Sequence, residues 1–207
     1  MTYNPEIHRR RSIRLKGYDY SQAGAYFVTI CVKDHACLFG TIMDGKLQYN
    51  DYGQIAYEFW LKISEHFSDA KLDEFIIMPN HIHGIITINN CRGEVTSPFS
   101  EVVETNSKTK TAPIQGGETQ KTGGATPPLR KHTLGQVVAY FKYQSSKRIN
   151  QTRNTAGQPI WQRNYYEHII RDDKELQAIR EYIRFNPLKW DEDKENPEMN
   201  GTILKNA

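Results

Sequence analysis

Apolar and polar positions along the chain follow two periods. Ala25-Tyr-Phe-Val-Thr-Ile-Cys-Val32 is β-branched and aromatic and predicts a strand. Leu38 to Met43, then Asp44-Gly45, then Lys46 to Tyr49 predicts a hairpin, because Asp-Gly suits a tight primed turn. Tyr52, Ile55, Ala56, Phe59, Trp60, Ile63 and Phe67 recur at helical spacing and give a helix one apolar stripe. Leu72 to Met78 predicts a strand, Pro79-Asn80 punctuates it, and His81 to Ile88 predicts an antiparallel return. Thr133 is placed to cap a helix running to about Asn150, with Leu134, Val137, Val138 and Phe141 inward. Trp161 to Ile170 looks extended. Asp172, three residues before Glu175, starts a last helix that carries Leu176, Ile179 and Ile183 inward and stops at Asn186-Pro187. Strands joined mostly by hairpins, with helices between them, predict an α+β fold: a ferredoxin-like antiparallel sheet with packed helices.

One stretch breaks the pattern. From about Arg92 to Arg130 the chain is mostly Thr, Ser, Gly, Lys, Glu and Pro, too poor in large apolar residues to order itself. It is expected to be a long disordered insertion. The expected organisation is a basic arm over 1–24, a folded domain over 25–190 with the insertion at about 92–130, and an acidic tail over 191–207.

Composition narrows the class. The 207 residues are 38% hydrophobic and 25% charged, ordinary for a globular domain. No long uncharged apolar run is present, so no membrane span is expected, and the N-terminus lacks a signal-peptide core. A cytoplasmic, nucleoid-associated protein is the expectation. Cys31, Cys37 and Cys91 are odd in number, their spacing matches no zinc or redox pattern, and they read as reduced thiols. Net charge is only +3, but Arg9, Arg10, Arg11, Arg14 and Lys16 concentrate it near the N-terminus, a pattern that either meets phosphates or, the reading that charge alone favours, is a solvated terminus.

The candidate chemistry lies in two segments. In Met78-Pro-Asn-His81-Ile-His83, strand alternation puts His81 and His83 on one face. Two imidazoles on a rigid strand make half of a metal site. The competing reading is two polar residues on a solvated sheet face. In Tyr182-Ile-Arg-Phe-Asn186-Pro187, Tyr182 and Asn186 lie one helical turn apart. A carboxamide oxygen can ligate a hard cation, and a tyrosine hydroxyl is a possible nucleophile. Alternatively Tyr182 is a core aromatic and Asn186 a helix cap. Combined, two His and one amide leave coordination positions open for a phosphate oxygen, with Tyr182 to attack phosphorus. Tyr165 and Tyr166 are rival nucleophiles, in an extended segment with no carboxamide one turn on.

The chain resembles the REP-associated tyrosine transposases, within the single-tyrosine HUH transposase superfamily. The resemblance is carried by Arg11-Ser-Ile-Arg14-Leu-Lys-Gly17-Tyr18-Asp-Tyr20, Tyr26-Phe-Val-Thr-Ile30, Met78 to His83, Trp161-Gln-Arg-Asn-Tyr-Tyr-Glu167-His168 and Tyr182 to Lys189, spread over about Arg9 to Trp190. It implies an HUH endonuclease-like fold, His81, His83 and Asn186 as metal ligands, and Tyr182 as nucleophile. It also implies Mg²⁺ or Mn²⁺ as cofactor and no nucleotide cofactor. The implied reaction cleaves and rejoins single-stranded DNA at imperfect palindromic hairpin repeats, through a 5′-phosphotyrosine and a free 3′-hydroxyl.

Other roles follow from residue type. Arg9, Arg10, Arg11, Arg14 and Lys16 are candidates to hold the hairpin foot or a flanking single strand, and Tyr18 and Tyr20 to stack on unpaired bases. Lys142, Lys147 and Arg148 are expected on the polar side of the helix after Thr133. Glu167 and His168 are candidates to support the metal or the scaffold. The alternative function is a sequence-specific hairpin DNA-binding protein without catalysis. The protein is expected to be a monomer or a homodimer.

Overall fold

The computed structural model describes residues 17–89, 132–193 and 195–197. The basic arm residues Arg9, Arg10, Arg11, Arg14 and Lys16, the 92–130 insertion, Cys91 and the last ten residues lie outside them.

Among the described residues six strands and three α-helices form: β1 (Gly24–Cys31), β2 (Gly40–Met43), β3 (Lys46–Tyr49), α1 (Asp51–His66), β4 (Ala70–Ile77), β5 (His81–Ile88), α2 (Leu134–Thr152), β6 (Tyr166–Ile170) and α3 (Asp173–Phe185). The main sheet has the order β4-β5-β1-β6 with every neighbour antiparallel. With β2 and β3 set aside as a separate hairpin, this is the expected ferredoxin-like arrangement. Asp44 and Gly45 both take positive φ (52° and 67°), as a primed two-residue turn requires.

Strand alternation sorts the sheet into two faces. Tyr26, Val28, Ile30, Ile82, Ile86 and Ile88 are buried with Trp60 and Ile63 of α1 and Val137, Val138 and Phe141 of α2. Ala25, Phe27 and Ile85 are buried on the opposite face with Leu176 and Ile183 of α3. Gly84 sits on the first face directly beneath Trp60. A Cβ there would overlap the indole, so glycine lets α1 approach β5 closely.

The helix starts follow side-chain chemistry. Asn50 caps α1 by accepting from the backbone N–H groups of Tyr52 and Gly53. Thr133 and Gln136 form a reciprocal capping box on α2. Asp172 caps α3 by accepting from Glu175 N at 2.8 Å, while the Glu175 carboxylate goes to Arg171 N rather than back to its own cap.

Two expectations change. The extended stretch 161–170 yields a strand only from Tyr166. Trp161 makes a single bridge to Val32 and then enters the core, its Nε1 donating to Ser145 Oγ at 3.0 Å. Between them, Lys142 Nζ takes the Gln162 and Asn164 carbonyls at 2.8 and 3.0 Å, where a strand would need a neighbour. The chain also does not leave the domain at 190. Asn186–Glu192 continues α3 as a 3₁₀ helix, and Asp193 and Glu195 then lie against the start of β5.

Candidate metal centre and tyrosine site

His81 opens β5 and His83 follows on the same face. His81 pairs with Cys31 across the ladder and His83 with Thr29. Both imidazoles are buried, at 0% and 4% exposure, which rules out a solvated sheet face. Their Nε2 atoms face each other at 3.0 Å. The other nitrogen of each ring is held from behind: His81 Nδ1 lies 2.8 Å from Asn80 Oδ1, and His83 Nδ1 lies 2.9 Å from Thr29 Oγ1. Outer partners of this kind fix ring orientation at metal sites.

The helix α3 delivers the tyrosine. A register shift in β4 between Leu72 and Phe75 disrupts the ladder around Asp73 and Glu74. Arg180 grips Asp73 with Nε at 2.8 Å and a terminal nitrogen at 2.5 Å, and Arg184 reaches Glu74 at 2.8 Å. These pairs lie four residues apart on α3 and set its position along the sheet. Tyr182, between them in sequence, is 46% exposed, and its hydroxyl lies 3.2 Å from His83 Nε2. Its ring meets Phe27 edge to face at 6.0 Å. Tyr182 is therefore not a core aromatic, and Asn186, buried one turn later, faces the same cleft.

A carboxylate joins them. His81, His83 and Asp193 bring three potential ligand atoms within 4.8 Å of one another. Asp193 Oδ2 lies 3.8 Å from His81 Nε2. Asp193 belongs to the stretch read as an acidic C-terminal tail, and acidic composition alone gave no signal for a return into the site. Thr29 and Asn80 were missed too, for the same reason: their role depends on ladder register and a turn. The cleft over these groups has a volume of about 650 Å³, and Lys189, Tyr166 and Asn164 also line it.

Burial holds His81 well below its ordinary pKa, with His83 and His35 adding to the effect, and lowers His83 to about 3. Both rings are thus neutral, the form that ligates metals. Burial and then Asp193 raise the Tyr182 hydroxyl, while a hydrogen bond from Asn186 works against them. Burial raises Asp193 as well. Asn186 Oδ1 and Asp193 Oδ2 are buried polar atoms with no hydrogen-bond partner. Two imidazole nitrogens, a carboxamide oxygen and a carboxylate oxygen make a donor set that fits a divalent cation such as Mn²⁺ or Mg²⁺. A cation there reverses the electrostatic penalty on both oxygens and on a tyrosinate.

Other expected site residues lie elsewhere. Glu167 is buried, but its register partner is Val28, so it lies on the α1/α2 face, away from the histidines. His168 is on the histidine face, opposite Phe27, and bonds Glu175 at 2.6 Å, tying β6 to α3. Lys142 is not on a free polar side: its ammonium is turned to the 162–164 carbonyls, and burial lowers its pKa to about 8. Arg148 is exposed near the end of α2. Tyr18 stacks edge-on against Tyr20 at 4.9 Å, with its hydroxyl 3.3 Å from that of Tyr26. That cluster sits on the other sheet face, roughly 15 Å of strand from Cys31 and His81. Tyr166 lines the cleft, but the tyrosine hydroxyl bonded to the histidine pair is that of Tyr182.

Comparison with known proteins places the chain. No family model matches it. An uncharacterized protein of Haemophilus influenzae is 41% identical over 191 residues, covering 92% of this chain and 95% of its own. The chain belongs to that protein's family. A second H. influenzae protein, named "Putative REP-associated tyrosine transposase", is 25% identical to this member of the family over 179 residues, covering 83% of this chain and 74% of its own. Among solved structures, a REP-associated tyrosine transposase bound to a REP hairpin superposes with a TM-score of 0.50 at 16% identity, over 86% of this chain and 74% of that one. The chain thus shares its fold with a REP-associated tyrosine transposase and has weak sequence similarity to a protein named as a putative one. Its fold is HUH-transposase-like, and its His/Asp cluster is of a kind compatible with a divalent metal.

Proposed function

We propose that this protein is a transposase-like endonuclease that nicks and rejoins single-stranded DNA through Tyr182. The observation that carries the reading is the approach of the Tyr182 hydroxyl to His83 Nε2 at 3.2 Å, in an open cleft over a buried His pair. An aromatic kept only for packing would turn its ring inward.

His81, His83, Asn186 and Asp193 would hold the metal. Bound there, a divalent cation supplies Lewis-acid polarisation of a phosphate oxygen and neutralises charge. Tyr182 Oη forms the bond to phosphorus as the bond from phosphorus to the 3′ oxygen breaks. The products are a 5′-phosphotyrosine and a 3′-hydroxyl, and the hydroxyl proton of Tyr182 ends on the leaving oxygen directly or through water. Reversal on a second 3′-hydroxyl rejoins the strand without a nucleotide cofactor, because the phosphodiester energy is kept in the covalent link. Lys189, on the cleft wall, suits a flanking phosphate, and the exposed Tyr166 ring suits an unpaired base. Arg9, Arg10, Arg11, Arg14 and Lys16 would add a basic arm to the hairpin stem, with Arg148 a peripheral phosphate contact. The REP hairpin held by the solved structural relative supports a hairpin repeat as the partner.

The test uses end-labelled single-stranded hairpin repeats from DNA flanking the gene, with Mn²⁺, Mg²⁺ or chelator. A denaturation-resistant adduct that needs metal and disappears in Tyr182→Phe is expected. An adduct that survives Tyr182→Phe would move the nucleophile to Tyr165 or Tyr166. Tight hairpin binding with no adduct under any metal would make this a hairpin-binding protein.

A further inference from the structure

A second group of ligand atoms lies beside the histidine pair and takes no part in that chemistry. Cys31 ends β1, and Asp34 and His35 then adopt left-handed backbone (φ 57° and 53°), turning the chain back. Glu195 arrives from the far end of the sequence. Its Oε2 lies 2.7 Å from His35 Nδ1 and 3.6 Å from Cys31 Sγ. The sulfur, imidazole nitrogen and carboxylate oxygen all fall within 4.8 Å of one another. Ligands in a tetrahedral zinc site, with bonds of about 2.0–2.3 Å, stand at comparable separations of roughly 3–4 Å.

We propose that Cys31, His35 and Glu195 form a second metal site, selective for a thiophilic transition-metal ion such as Zn²⁺ and structural in role. The donor chemistry separates it from the first site. The histidine pair with Asn186 and Asp193 is a nitrogen and oxygen set, whereas a thiolate brings a soft ligand that Mg²⁺ does not favour. A thiolate and a carboxylate with a neutral imidazole carry two negative charges, matching a dication. Gln162 Nε2 sits 2.8 Å from His35 Nε2. Ligation through Nδ1 puts the ring proton on Nε2, and the Gln162 carboxamide, turned over, accepts it. Water would complete the tetrahedron.

Placement gives the site a consequence. Glu195 and Asp193 are two residues apart on one turn, with Glu195 N donating to Asp193 Oδ1, so the reach of Asp193 toward the histidine pair depends on where that turn rests. Asn80 Nδ2 already donates to the backbone oxygens of Glu195 and His35, so the three segments converge before any ion binds. An ion on Cys31, His35 and Glu195 would pin the turn and hold Asp193 beside His81. This coupling rests on the metal reading of the His81 centre; the second site itself does not.

The test is Co²⁺ titration of the reduced full-length chain without DNA. Expected are intense visible bands of tetrahedral cobalt and a near-ultraviolet sulfur-to-cobalt charge-transfer band, both removed by Zn²⁺. Cys31→Ser should abolish the charge-transfer band, while Cys37→Ser and His83→Gln keep it. His35→Gln, which keeps the thiol, should weaken cobalt binding at least about tenfold. Circular dichroism of each variant reports the fold. No charge-transfer band in the wild-type chain, or a band that persists in Cys31→Ser, would overturn the proposal. Unchanged affinity in folded His35→Gln would do the same. DNA is absent throughout, so failure here leaves the Tyr182 reading intact, and failure of nicking leaves this result intact.

Discussion

Asn80 fixes the proton of His81. The Asn80 Nδ2 group donates to the Glu195 and His35 carbonyl oxygens at 2.5 and 3.1 Å, so its Oδ1 must be the atom 2.8 Å from His81 Nδ1. A carboxamide oxygen only accepts, so His81 carries its proton on Nδ1 and presents a lone pair on Nε2 toward His83. Asn80→Ala removes both the tautomer lock and the tether to Glu195. Mn²⁺ affinity should fall by about 10–100-fold, the usual range for an outer partner of a ligating histidine. Isothermal titration of wild type and variant checks this; equal affinities would show that the ring is held by packing alone.

Thr29 plays a different part for His83. Its hydroxyl either donates to Nδ1 or accepts from it, so His83 can change tautomer without leaving a buried group unpaired. Metal binding needs that freedom, because His83 Nε2 must give up any proton it shares with His81 Nε2. Thr29→Val keeps the shape and loses the hydroxyl. Mn²⁺ binding should weaken about tenfold, and Thr29→Ser should restore most of it. Restoration by Ser is the informative arm, since a purely steric role would not distinguish it from Val.

Much of the fold was legible in the sequence, and so was half of the centre. The α1 stripe and the Asp44-Gly45 turn are local signals, and except for the last strand, which forms only from Tyr166, the expected elements stand within a few residues of their places. His81, His83, Tyr182 and Asn186 could be found because strand and helix periods bring each pair onto one face. Asp193, Thr29 and Asn80 could not. Asp193 approaches across more than a hundred residues of chain, and charged residues in a polar stretch look alike whether they return or not. Lys142 misled for a related reason: helical spacing cannot reveal that a lysine's amine meets carbonyls from residues 162–164.

Asp193 should show opposite effects on stability and on metal binding. The residue is partly exposed, but its Oδ2 is enclosed without a hydrogen-bond partner, and burial raises its pKa. A buried carboxylate without a cation is costly, so Asp193→Asn should raise Tm in chelator by a few degrees, about 1 kcal/mol. The same change removes an anionic ligand, so the Tm increment produced by Mn²⁺ should shrink. Differential scanning calorimetry with and without Mn²⁺ gives both numbers. A variant that keeps the full Mn²⁺ increment would remove Asp193 from the ligand set.

The Asp73–Arg180 pair predicts an acid-side loss of stability. Hydrogen bonding from Arg180 is the leading cause that holds the Asp73 carboxyl below its ordinary range. The native state therefore favours the ionised form more than the unfolded chain does. The resulting stability is fully present above the unfolded pKa near ~3.9 and is lost as pH falls through the lower folded value. Asp73→Asn should cost about 1–2 kcal/mol at neutral pH, given a bidentate, partly buried pair. The gap from wild type should close in acid. Urea midpoints from pH 7 down to about 3 test it; a gap that stays constant across that range would assign the effect to packing. Because Arg180 sits on the helix that carries Tyr182, the same variant should lower adduct formation even where it remains folded.

Gly84 tests how the sheet is held beneath the histidines. It follows His83 directly and faces the opposite side, where the Trp60 indole occupies the space of a Cβ. Trp60 is fully buried, with Phe75 and Phe141 rings at 5.8 and 5.1 Å, so it has no room to retreat. Gly84→Ala must push β5 away from α1 or displace the indole. Overpacking of this kind costs about 1–3 kcal/mol, offset only slightly by alanine's smaller unfolded-state entropy. The displaced strand also carries the facing Nε2 atoms, now 3.0 Å apart, so Mn²⁺ affinity should fall with stability. Pairing Gly84→Ala with Trp60→Phe, which opens space over the glycine, separates the two effects. Partial recovery of metal binding in the double variant would show that backbone position transmits the strain; no recovery, with the fold intact, would show that the histidines are set independently of the α1 contact.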